Sequence, residues 1–167
     1  MQDEYNPSEH TAARAALLWK RMLANPKFDN GDKGFTGIMA AGLAAMIPAN
    51  TTADLLDAFE VKLREAILTP DERGYFEAGR LSVDYGPDHI LDATAKAVGL
   101  KVEFPWKTSM SIHRDYLTVR GGYSAETLNH YRLPNGKWLV TSLYGSEIEK
   151  IKKFAMDGTV PTFTVED

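Results

Sequence analysis

The sequence predicts an α+β fold, with about three N-terminal helices packed on a mainly antiparallel C-terminal sheet that carries two further helices. Three observations point there. Apolar residues recur at helical spacing through the first part of the chain. Later, short β-branched and aromatic runs alternate with turn signals. The regular strand–helix alternation of a parallel sheet is missing. The 167 residues suffice for one core and are too few for two ordinary domains. Residues 1–167 therefore read as a single domain, helical over 1–70 and strand-rich over 71–167.

The first helix is expected over residues 8–24. Ser8 serves as N-cap, and Ala12, Ala15, Ala16, Trp19, Met22 and Leu23 form one apolar stripe. Asn25-Pro26 stops it. Residues 28–34 read as a loop. A second helix is expected from Thr36 to Ile47. It is apolar on nearly all sides, as a central helix would be, and Pro48 closes it. The third follows Thr51 and Thr52, with Leu55, Leu56, Phe59, Leu63 and Ile67 on one face and Asp57, Glu60, Arg64 and Glu65 on the other. Thr69-Pro70-Asp71-Glu72 then reads as a fresh helix start, kept short by Gly74.

A strand is expected over 79–85. Gly86-Pro87-Asp88 opens a helix that Gly99 ends. Strands are expected over 101–106, 109–114, 115–121, 126–133 and 137–144. Ser146-Glu147-Ile148-Glu149 is a capping box for a last helix, and 161–165 an extended tail or edge strand. One hairpin can be specified closely. A two-residue Asn135-Gly136 turn would need an N–H from Pro134, which has none. A three-residue loop, with Pro134 second in a type I turn and Gly136 left-handed, is the alternative. That register sets Tyr131 opposite Leu139, His130 opposite Val140, and Arg132 opposite Trp138, where guanidinium and indole are expected to stack.

Composition excludes several classes. Apolar residues at 44% and charged residues at 25% describe an ordinary globular chain, not a coiled coil or a disordered segment. The net charge of −4 argues against a nucleic-acid binder. There is no cysteine, which removes disulfides, iron–sulfur clusters and cysteine-held zinc. The start of the chain is polar and acidic, unlike a signal peptide, and the longest apolar run is about 11 residues against the ~20 a membrane span needs. A soluble cytoplasmic protein is expected.

The four histidines, His10, His89, His113 and His130, lack metal-ligand spacing, so no metal and no cofactor are expected. Asp29 and Asp32 do not begin a calcium loop, since Gly31, Lys33 and Ala40 occupy ligand positions. His113-Arg114-Asp115 lacks the following asparagine and the glycine-rich loop of a kinase. The order Arg80, then Thr108-Ser109-Met110-Ser111, then Glu147-Ile148-Glu149 resembles the arginine, S-T-S and E-x-E series of ADP-ribosyltransferases. The resemblance implies NAD held by Arg80 and the serine strand, with Glu149 stabilising the transferred ribose. The capping box departs from it, because it already gives Glu149 a structural role and the turn-to-strand setting of E-x-E is absent.

Residues 101–144 carry the strongest functional signal. Lys101, Lys107, Arg114, Arg120, Arg132 and Lys137 face only three acidic residues there, and seven aromatics accompany them. Such a positive, aromatic sheet suits an anionic ligand or an acidic partner surface. The bland account is that aromatics favour strands and arginines cover exposed sheets. The expected binding residues are Lys107, His113, Arg120, Tyr123, His130, Arg132 and Trp138, with no catalytic set. The reading is a small non-enzymatic accessory protein, of the kind bacteria and phages use as inhibitors, acting on a protein partner. The alternative is a small enzyme or sensor for a phosphate-bearing metabolite or nucleotide.

Overall fold

The computed structural model of the protein describes residues 5–24, 51–122, 126–142 and 164–167. The helix expected over 36–47, the last helix from Ser146, the loop at 28–34 and Tyr123 lie outside the described residues. Within them the chain is α+β, with three helices and a six-stranded antiparallel sheet.

Helix α1 spans Glu9–Ala24. Ser8 starts it as expected, its Oγ accepting from the Thr11 N–H at 3.2 Å while Thr11 Oγ1 accepts from the Ser8 N–H at 2.9 Å. Helix α2 spans Ala53–Leu68, and the Thr52 side chain accepts from the Leu55 N–H. The two helices pack through Trp19, Leu23, Phe59 and Leu63, all fully buried, and Lys20 bridges to Asp57 and Glu60 at the rim. The Trp19 indole N–H is the one buried side-chain donor without a partner among the described residues. Burial of the ring, roughly 3 kcal/mol or more, offsets that loss.

No helix starts at Thr69. Its N–H and hydroxyl instead bond back to Ala66 O and Glu65 O, closing α2. Asp71 then builds a tight loop: its Oδ1 accepts from the N–H groups of Arg73 (2.8 Å) and Tyr75 (3.0 Å), with Gly74 at φ 85°. An aspartate that bonds its own backbone two and four residues on competes with helix formation, and here it wins.

After a 3₁₀ turn at Glu77–Gly79 come β1 (Arg80–Val83) and α3 (His89–Val98). Asp88 caps α3 through the Ile90 and Leu91 N–H groups, and Gly99 closes it at φ 74°. The strands β2 (Thr108–Ile112), β3 (Tyr116–Gly121), β4 (Leu128–Arg132), β5 (Trp138–Thr141) and β6 (Thr164–Glu166) follow, and the sheet order is the chain order. The expected hairpin forms in its expected register, with Tyr131 opposite Leu139, His130 opposite Val140 and Arg132 opposite Trp138. Gly136 N–H donates to Leu133 O at 3.0 Å, and Gly136 sits at φ 85°.

The strand expected over 101–106 does not form. The burial of Leu100 and Phe104 has another cause: Phe104 plugs the helix layer, 6.4 Å from the Trp19 ring and 6.2 Å from Phe59. The sheet partner of β1 is β2, which begins only at Thr108.

The helices cover one sheet face. Leu81, Val83, Met110, Ile112 and Leu117 point into the core they share with α1, α2 and α3. The opposite face carries a second cluster of Tyr131, Leu133 and Leu139, with Tyr116 against it.

Candidate functional site

Along β3 the residues that face the helices diminish from Leu117 to Val119 to Gly121. A Cβ placed on Gly121 would meet nothing within 4 Å. This tapering leaves a cavity of about 490 Å³ beneath the C-terminal half of α1. Leu18 and Met22 of α1, Pro105, and Val119, Leu128 and Val140 of the sheet give it an apolar wall. Three charged or titratable groups reach it, Arg21, His130 and Glu166. A concave, largely apolar space with a few convergent polar groups is the common form of a small-molecule site.

The polar side of the cavity is built around Arg14. Its residue is 3% exposed, on the face of α1 turned to β4, β5 and β6. Nε donates to His130 Nδ1 at 3.3 Å, and Nη2 lies 3.2 Å from the same nitrogen. Nη2 also donates to Glu166 Oε2 at 3.1 Å, and Nη1 to the Asp167 carbonyl at 3.3 Å. The guanidinium carbon lies 5.5 Å over the Trp138 ring. A buried charge needs this density of partners. Burial pulls the guanidinium below its ordinary value, Glu166 opposes that, and the group stays charged.

His130 is 5% exposed, and burial, followed by the charges of Arg14 and Arg21, lowers its pKa to about 4. It is therefore neutral at physiological pH. Because a guanidinium only donates, Nδ1 is the acceptor and the ring proton resides on Nε2. No acceptor among the described residues takes that Nε2–H, and the ring lines the cavity. Arg21 is half-exposed at the mouth, 3.7 Å from Glu166 Oε1, which is an ion pair but beyond hydrogen-bond distance.

The expected binding residues are divided by the fold. His130, Arg132 and Trp138 share the helix-facing side of the sheet. Trp138 is only 7% exposed, so it is no surface anchor, and the guanidinium over it is that of Arg14 where Arg132 had been expected. Arg120 is exposed on the opposite face, level with Ser109. Lys107 precedes β2 at φ 56°, pairs with Asp84 and lies over the Tyr85 ring. His113, in the β2–β3 turn, stacks on Tyr116 at 4.4 Å. Tyr123 lies outside the described residues. Of the ADP-ribosyltransferase-like series, Arg80 is level with Ser111 on the face away from the cavity, and residues 147–149 lie outside the described residues.

Sequence reasoning missed Arg14, Arg21 and Glu166. The available signal was an arginine placed three residues after Thr11 and four before Leu18, inside an alanine-rich helix. A second cavity of about 590 Å³ lies beside the first turn of α1, lined by His10, Arg114, Asp115 and Arg132 among others.

No protein-family model, curated protein or solved structure matches the chain. No described helix is long and apolar enough to cross a membrane. Among the described residues no three His, Cys, Asp or Glu side chains gather as metal ligands would.

Proposed function

We propose that this chain is a small binding protein whose ligand is a small, mainly apolar molecule seated between α1 and the sheet. One observation carries the reading. The cavity is walled by aliphatic side chains, and the imidazole of His130 turns to it an N–H that no described residue accepts. A ligand acceptor there would gain a hydrogen bond worth about 1 kcal/mol. The proposal keeps the accessory, non-enzymatic character expected from the sequence but places the partner inside the fold. Arg120 and the trio His130, Arg132 and Trp138 lie on opposite faces, so they offer no single docking surface.

Nile red, an uncharged dye that fluoresces in apolar surroundings, tests this. It should bind with one-to-one stoichiometry. Leu128→Trp, which fills the cavity from a half-exposed strand position, should abolish binding without lowering the melting temperature. Absence of binding, or binding unchanged in the folded variant, returns the search to a protein partner.

The cleft beside α1 favours a second reading, a phosphate-bearing ligand. There Arg114 and Arg132 outnumber the one carboxylate, Asp115, and His10 adds a further titratable group. A rise in melting temperature with millimolar inorganic phosphate, lost in Arg114→Gln with Arg132→Gln, would support it.

A further inference from the structure

The unmatched donors at the cavity point to a ligand class. We infer that the cavity selects amphipathic carboxylates, with the carboxylate held between His130 and Arg21 and the chain along the aliphatic wall. The inference rests on the cavity being the binding site.

Donors and acceptors do not balance at the cavity. On the protein side the acceptors are already engaged. His130 Nδ1 takes two approaches from Arg14, and Glu166 presents Oε2 to Arg14 and Oε1 toward Arg21. Arg14 has every guanidinium nitrogen, Nε, Nη1 and Nη2, bonded to protein atoms. The donors are not used up. His130 Nε2–H has no acceptor among the described residues, and Arg21 touches Glu166 only at ion-pair distance. The Thr108 hydroxyl can serve in either sense. A ligand that fits must therefore bring acceptors.

Charge narrows the class further. Arg14 is engaged by Glu166 and Asp167, whereas Arg21 meets Glu166 only at 3.7 Å. Hydrogen bonds from Arg21 to a ligand anion are charge-assisted, about twice as strong as neutral ones. A ligand ammonium would add a third positive charge and meet only donors. The apolar wall excludes small polar anions as the preferred occupant, since they leave the aliphatic surface unfilled.

The experiment uses three ten-carbon competitors against bound Nile red: decanoate, decanol and decylamine. At neutral pH decanoate should displace the dye at least tenfold more tightly than decanol, and decylamine more weakly than either. Arg21→Gln, at a side chain 51% exposed and so tolerated by the fold, should shrink the decanoate advantage to threefold or less. Decanol equal to decanoate, decylamine equal to decanoate, or an undiminished preference in Arg21→Gln would overturn the inference. Those outcomes leave Nile red bound and the cavity reading intact. If Nile red itself does not bind, the cavity reading fails and the inference with it.

Discussion

Arg14 and His130 stand 116 positions apart in the chain, and the Nε of the first donates to the Nδ1 of the second at 3.3 Å. That contact joins α1 to the middle of β4. Through Glu166 and the Asp167 carbonyl the same guanidinium holds β6 at the sheet edge. The neutral tautomer of His130, the placement of β6 and the polar end of the cavity thus depend on one side chain.

Arg14→Met should destabilise the protein by about 2–3 kcal/mol. The loss is less than for a fully enclosed ion pair, because Glu166 is 36% exposed and can be rehydrated. Urea denaturation measures it. Amide hydrogen exchange should show protection lost first at β6. Arg14→Lys should not rescue either effect, because one ammonium cannot reach His130, Glu166 and the Asp167 carbonyl together.

His130 makes stability depend on pH. Its folded pKa of about 4 lies below the ordinary 6.5, so between those values the unfolded chain binds more protons than the folded one. Stability therefore falls as pH drops from about 6.5 toward 4, by roughly 1–2 kcal/mol between pH 7 and 5. His130→Gln keeps an acceptor for Arg14 and should flatten much of that slope in urea melts. An NMR titration in which the His130 ring protonates near its ordinary value would contradict the assignment.

Asp88→Ala should cost about 1–2 kcal/mol. The carboxylate accepts from Ile90 N–H at 3.0 Å and Leu91 N–H at 2.9 Å, and its other oxygen from Ser82 N–H at 2.7 Å. It therefore caps α3 and pins β1 at once. Asp88→Asn, which retains one acceptor oxygen, should lose about half as much by thermal melting.

The local code was legible where neighbours in sequence decide the outcome. Ser8 as a cap, a helix start at Thr51-Thr52, another at Gly86-Pro87-Asp88, Gly99 as helix stop and the Pro134–Gly136 hairpin all depend on contacts within a few residues, and the structure has each, with Thr52 and Asp88 as the caps. The failures share a different cause. Asp71 obeys a helix-start pattern but closes a turn, because a residue four positions on supplies better partners. Phe104 alternates like a strand residue but belongs to the helix layer, a fact set by Trp19 and Phe59. The site escaped for the same reason. Nothing around Arg14 in the sequence names its partners: His130, Trp138 and Glu166 become its neighbours only when β4, β5 and β6 fold against α1.

Amide chemical-shift mapping with decanoate tests the central claim most directly. Binding in the cavity should move the amides of Leu18, Met22, Val119, Leu128 and Val140 together, saturating at one equivalent. Shifts confined to Arg120, Tyr131 and Thr141 on the opposite face, or none at all, would contradict it.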